Sequence, residues 1–118
     1  MRVEFGMVEA RFADIVWQNA PLATSKLVEL CTQELNWKRT TTYTVLKKMC
    51  NRGIFEMKDR MVTVLMPKDK FQAWQSETFV DQNFQGSLPA FVAAFASRKT
   101  PSQEELQELQ KLIDSFGA

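Results

Sequence analysis

Apolar residues return at helical spacing early in the chain: Phe12, Ile15 and Val16, with Ala13 and Trp17 widening the stripe. The pattern predicts a helix from Glu9 to Asn19, ended at Asn19-Ala20-Pro21 because proline cannot continue a helix. Leu27, Leu30, Cys31 and Leu35 predict a second helix, with Thr24 as its N-cap. After a short break at Asn36-Trp37, Thr42, Val45, Leu46 and Met49 fall at i, i+3, i+4 and i+7. They predict a third helix from about Arg39 to Arg52, with those four residues facing a core and Gly53 as the C′ residue. The period then changes to two. Phe55 and Met57 alternate with Glu56 and Lys58, Asp59-Arg60 is the turn candidate, and Met61 to Met66 is β-rich up to Pro67. Helices two and three joined by about three or four residues make a helix-turn-helix connection. Three helices followed by a hairpin predict a winged helix-turn-helix, with the hairpin as its wing.

Beyond Pro67 the pattern is helical again. Lys68 to Phe84 and the apolar segment Leu88 to Ala96 are separated by Gly86, and Ser102 with Glu105 makes a capping box for a last helix. Leu106, Leu109, Leu112, Ile113 and Phe116 share one stripe of that helix. A segment of about 50 residues cannot bury this much apolar surface on itself. The surplus predicts a second copy of the chain as partner. The expected dimerisation residues are Phe71, Trp74, Phe79, Phe84, Leu88, Phe91, Phe95, Leu106, Leu109, Leu112 and Ile113. The fold class is thus mainly α with a small β-hairpin. The expected division is a winged-helix domain over residues 1–67 and a helical dimerisation domain over 68–118.

Composition narrows the chemistry. The chain has no histidine and two cysteines, Cys31 and Cys50. That excludes histidine bases, triads and the usual zinc sites, and the cysteines read as small reduced residues in or near the core. No catalytic residue, metal site or cofactor is expected, and the chain does not read as an enzyme. No apolar run approaches the roughly 20 residues that span a bilayer. The opening MRVEFGMVEARFADIV is interrupted by Glu4, Glu9, Arg11 and Asp14, unlike a secretory signal. A cytoplasmic location without membrane insertion is the expectation.

The net charge of +1 hides a polarised chain. Between Trp37 and Gly53 lie Lys38, Arg39, Lys47, Lys48 and Arg52, five hydroxyl side chains and no acid, whereas Glu104, Glu105, Glu108 and Asp114 crowd the end. A basic, hydroxyl-rich helix face suits a polyanion, because cations neutralise phosphates and short polar groups reach base edges. The DNA-binding candidates are Arg39, Thr40, Thr41, Tyr43, Thr44, Lys47 and Lys48 on the helix, with Lys58 and Arg60 on the wing. Recognition helices read bases mainly with their N-terminal residues. Thr41, Tyr43 and Thr44 are therefore assigned to bases, and Arg39, Lys47 and Lys48 to phosphates. Trp37 reads as a core anchor, and the terminal glutamates as a solvated face that favours its helix dipole.

The order of elements and several motifs resemble the BlaI/MecI family of penicillinase and methicillin-resistance repressors over nearly the whole chain. The carrying residues are Glu9 with Ile15, Val16 and Trp17, then Trp37, Thr41, Thr44, Leu46, Lys48, Met49 and Gly53. SETFVDQNFQGSLPAFVAAF, with Ser76, Phe79, Phe84, Gly86, Leu88 and Phe95 in place, and SQEELQELQKLI continue the match. Lys48 departs from the arginine usual in the family, and Thr40 stands where a basic residue is common. The cysteine-rich copper-sensing tail of one branch is absent. The resemblance implies a homodimeric repressor of transcription bound to a palindromic double-stranded DNA operator. It also implies a membrane sensor-protease system whose signal leads to cleavage near Ala94-Phe95. The alternative reading of the basic helix is a winged-helix protein-interaction module that binds an acidic protein partner.

Overall fold

A computed structural model describes residues 6–117 of the chain. Its elements, in chain order, are α1 (Met7–Asn19), β1 (Leu22–Ala23), α2 (Thr24–Leu35), α3 (Arg39–Asn51), β2 (Phe55–Lys58), β3 (Met61–Val64), α4 (Lys68–Phe84), α5 (Leu88–Arg98) and α6 (Gln103–Phe116). The backbone divides into two compact units, one ending at Ser76 and one beginning at Glu77. The winged helix with its following helices is the expected class.

In the first unit the predicted apolar stripes converge. Phe12, Ala13, Ile15 and Val16 of α1 meet Leu27 and Cys31 of α2, Leu46 and Met49 of α3, and Ile54, Phe55 and Val62 of the hairpin in one buried cluster. Aromatic rings knit it together. Phe12 stacks on Trp37 with ring centroids 5.6 Å apart, and Trp17 meets Phe55 edge-on at 5.7 Å. Trp17 also donates its indole N–H to the Met66 carbonyl at 3.0 Å, which satisfies a polar group inside an apolar wall. Trp37 is thus a core anchor, as its position before α3 suggests.

The wing is a tight hairpin in which Phe55 pairs with Val64 and Met57 with Val62. Its turn residues Asp59 and Arg60 both adopt left-handed backbone, with φ of 52° and 62°. That is the turn geometry matching strand twist, obtained here without the glycine it favours. A third strand joins it: β1 pairs with β3, Leu22 opposite Val62 and Ala23 opposite Met61, giving the order β1-β3-β2. This strand was not expected, and it revises the start of α2. Thr24 is no N-cap. Ala23 holds that position without a side-chain cap, and Thr24 is buried with its N–H donated to the Arg60 carbonyl at 3.0 Å. The sheet thus satisfies the first N–H of α2, one of the donors that a helix start leaves without an intrahelical partner.

The start of α4 belongs to this unit. Phe71 is 2% exposed and packs on Trp17 at 5.7 Å and on Trp74 at 6.2 Å. Lys68 pairs with Asp14 of α1 at 2.8 Å.

The second unit holds the rest of α4 with α5 and α6. Gln85 and Gly86, at φ 52° and 79°, are the left-handed residues that end α4, and the Gly86 N–H reaches the Val80 carbonyl. Ser87 caps α5 by accepting from the Ala90 N–H at 3.1 Å. Ser102 and Glu105 form the expected capping box, with bonds of 3.1 and 3.0 Å. Those bonds hold the Glu105 carboxyl below its ordinary range, because they favour the charged form.

Candidate nucleic-acid interface

Helix α3 is built as two faces. Thr42, Leu46 and Met49 are at most 1% exposed, and Val45 is half-buried beside them. This is the stripe that the periodicity selects. The opposite face keeps Arg39, Thr40, Thr41, Thr44, Lys47, Lys48 and Asn51 exposed, and Tyr43 half-buried at its edge. The N-terminus of α3 begins at Lys38 with no side-chain cap, and its first turn carries no acid. The free N–H groups and the positive end of the helix dipole there favour an anion.

Individual contacts refine the candidates. The Arg39 guanidinium lies over the Tyr43 ring, 5.5 Å from its centroid, a cation–π contact that orders both side chains at the start of the helix. The Thr44 hydroxyl donates to the Thr40 carbonyl at 2.9 Å, one turn back. Among the described residues, Arg39 and Lys47 have no carboxylate at ion-pair distance. Lys48 does: its Nζ lies 3.0 Å from Glu9 Oε1 of α1, and Arg52 Nη1 lies 4.0 Å from Glu9 Oε2. Lys48 therefore differs from Lys47, although the sequence presents them as a pair. The Lys48–Glu9 pair, with the lysine side chain 46% exposed, contributes only about 0–1 kcal/mol. Thr44, Lys47, Lys48, Asn51 and Arg52 together border a shallow, open depression on the outer side of α3. Asn51 and the contact with Glu9 are features of this candidate face that sequence reasoning left out. Asn51 was visible on the outward face, whereas Glu9 is brought in only by tertiary packing.

On the wing, Lys58 ends β2 and Arg60 occupies the turn, both with exposed side chains. Neither cysteine adds chemistry. Cys31 is buried and Cys50 half-buried, both unpaired, and burial pushes both thiols up, away from the reactive thiolate. No group of metal-ligating side chains occurs among the described residues, and none of their helices is long and apolar enough to cross a membrane.

The residues expected at a dimer interface separate into two kinds. Phe71 is spent inside the first unit's core and leaves no ring face for a partner. Trp74, 37% exposed, stands at the edge of that core. The others lie in the second unit, where Phe79, Phe84, Phe91 and Phe95 form a chain of edge-on and tilted ring contacts 5.6 to 6.5 Å apart. None of this unit's described residues is buried. Leu88, Phe95, Leu112 and Ile113 each leave more than half of their surface in solvent, and Leu106 and Leu109 are also exposed. An apolar cleft of about 540 Å³ opens between α5 and α6, walled by Phe91, Val92, Phe95, Leu109 and Leu112. The Ala94-Phe95 bond lies within α5, with both residues exposed.

Comparison with known proteins agrees with this architecture. The methicillin resistance regulatory protein MecI of Staphylococcus aureus is 19% identical over 115 residues, 94% of each chain. The same protein of Mammaliicoccus sciuri matches equally. The penicillinase repressor of Bacillus licheniformis is 21% identical over 110 residues, 90% of this chain and 86% of its own. The sequence pattern of one family, described as penicillinase repressor, covers residues 5–115. With nearly its whole length matched, the chain belongs to the penicillinase repressor family.

Proposed function

We propose that the protein is a homodimeric, DNA-binding repressor of transcription that recognises a palindromic operator through α3. The observation that carries this reading is the division of α3. One face is fully committed to the core, and the other offers cations and hydroxyls with no acid of its own. Thr41, Tyr43 and Thr44 read base edges, with Thr40 beside them. Arg39, Lys47 and the wing cations Lys58 and Arg60 engage phosphates, which position the helix without specifying sequence. Two copies related by a two-fold axis place their α3 helices in successive major grooves, roughly one helical turn of about 34 Å apart.

Dimerisation through the second unit is supported by its lack of buried residues and its exposed leucines and phenylalanines. Self-association is the simplest way to withdraw such a surface from water. Derepression by cleavage at Ala94-Phe95, on a signal from a membrane sensor-protease, follows from the family resemblance. The helical backbone there must open before a protease can hold it extended, so cleavage would act through the dimer rather than through α3.

Titrating the protein against its own promoter region and against unrelated DNA tests the central claim. Tight binding to the promoter alone is expected; equally weak binding to both, with capture of an acidic protein instead, sinks it. Within the interface, Thr44→Ala should weaken promoter binding by about 1–3 kcal/mol and random-DNA binding far less. Lys47→Ala should weaken both alike and reduce the salt slope by roughly one per bound subunit.

A further inference from the structure

The acid-free stretch of the sequence does not stay acid-free in three dimensions. Lys38 to Gly53 contains no carboxylate, yet α1 delivers one, Glu9, to two of its cations. Resting on the DNA-binding reading above, we propose that Glu9 is a built-in counter-anion that competes with the DNA backbone for Lys48 and Arg52 and so lowers affinity for every sequence.

The geometry suits competition better than a fixed strut. Lys48 holds only one close contact to Glu9, at 3.0 Å, and its side chain is 46% exposed, free to swing toward solvent. The second contact is loose. Glu9 Oε2 and Arg52 Nη1 lie 4.0 Å apart, beyond hydrogen-bond reach, and each is buried without a hydrogen-bond partner among the described residues. A carboxylate clamped for structure would be expected to form both bonds. Lys48 and Arg52 also border the depression that holds Thr44, Lys47 and Asn51, so a phosphate arriving there meets the charge of Glu9 beside the cations it seeks. Each bound subunit must loosen the Lys48–Glu9 pair before Lys48 can serve a phosphate. Phosphate contacts carry no sequence information, so the loss falls equally on operator and background DNA. Less protein is then held on the excess of non-specific sites, whose number makes background binding matter.

The test is Glu9→Gln in the full chain, which keeps size and removes charge. Binding to the promoter and to an unrelated duplex is measured across a salt series. Both affinities should rise roughly three- to tenfold at low salt, the gain available from releasing an exposed ion pair. The salt slope should steepen by about one per bound subunit, with the specificity ratio unchanged. Unchanged slope and affinity, or weaker binding to both DNAs, would overturn the proposal and make Glu9 a strut. Lys48→Met gives an independent reading in the native background. A loss of less than half a unit of slope per subunit supports sequestration by Glu9, and loss of a full unit refutes it. Failure of the DNA-binding reading looks different: the unsubstituted protein would then fail to prefer its promoter, and the counter-anion proposal would fall with it.

Discussion

The two units of this chain solve the problem of apolar surface in opposite ways. The first, ending at Ser76, closes on itself: rings from α1, the hairpin and α4 interlock until Phe12, Phe55 and Phe71 have essentially no exposure. The second has comparable aromatic content and builds orderly ring contacts and capped helices, yet buries none of its described residues. Capping and ring contacts thus define helices without making a core. A core needs enough layers to surround a side chain, and three helices of this length supply too few. The first unit closes its own core, whereas the second leaves its apolar side chains uncovered, the feature on which the proposed dimerisation rests.

Truncation makes the largest break in that comparison. A chain ending at Ser76 should melt cooperatively and sediment as a monomer, while the full chain sediments as a dimer. A dimeric truncated chain would move self-association into the first unit. Next, Phe71→Ala should cost about 3–5 kcal/mol in denaturant unfolding, the usual loss for a buried phenylalanine. Phe95→Ala, at a site 51% exposed, should leave the melting of the first unit unchanged and weaken self-association at least about tenfold. If the two substitutions behave alike, the contrast drawn between the units is wrong. Smaller is Ser102→Ala, which should destabilise α6 by about 1 kcal/mol, seen as lost helicity. Because bonds to Ser102 depress the Glu105 pKa, their stabilising effect is fully present above its ordinary 4.5 and disappears as pH falls through the lowered folded value. Acid titration of helicity should show this step in the native chain and not in a Glu105→Gln chain, because the Ser102 backbone N–H that holds the carboxylate is present whatever the side chain at 102. The smallest effect belongs to the wing tip. Arg60→Gly relieves a left-handed non-glycine residue and should raise stability by up to about 1 kcal/mol while weakening DNA binding. A loss of stability would show that the Arg60 side chain supports the hairpin.

Much of this was legible in the sequence because burial imposes a period. Thr42, Leu46 and Met49 could be assigned to the core, and the outward set to solvent, from spacing alone. The α6 capping box was equally plain, being a local device. What escaped the sequence was tertiary. Strand β1 is two residues long, too short to show alternation. Thr24 looked like a cap because nothing local reveals that a hairpin carbonyl would receive its N–H. Phe71 was counted with the interface residues because α4 is one continuous helix, and composition does not say where along it the first core ends. Glu9 lies 39 positions from Lys48, and no helical or strand period connects them.

Under the proposed DNA-binding reading, the bond from the Thr44 hydroxyl to the Thr40 carbonyl has a consequence for the letters an operator would contain. The donated proton points back along the helix, so the side chain offers the major groove lone pairs and a methyl group. Its natural complements are the exocyclic amines of adenine or cytosine, or the thymine methyl; the acceptor-rich edge of guanine is the poorest match. If α3 reads DNA as proposed, part of the discrimination at this position would be exercised by the protein's own backbone, which fixes the polarity of a side chain that could otherwise present either sign. Replacing the contacted pair so that guanine faces Thr44 should weaken binding most, and an operator indifferent to that change would show the hydroxyl turning freely.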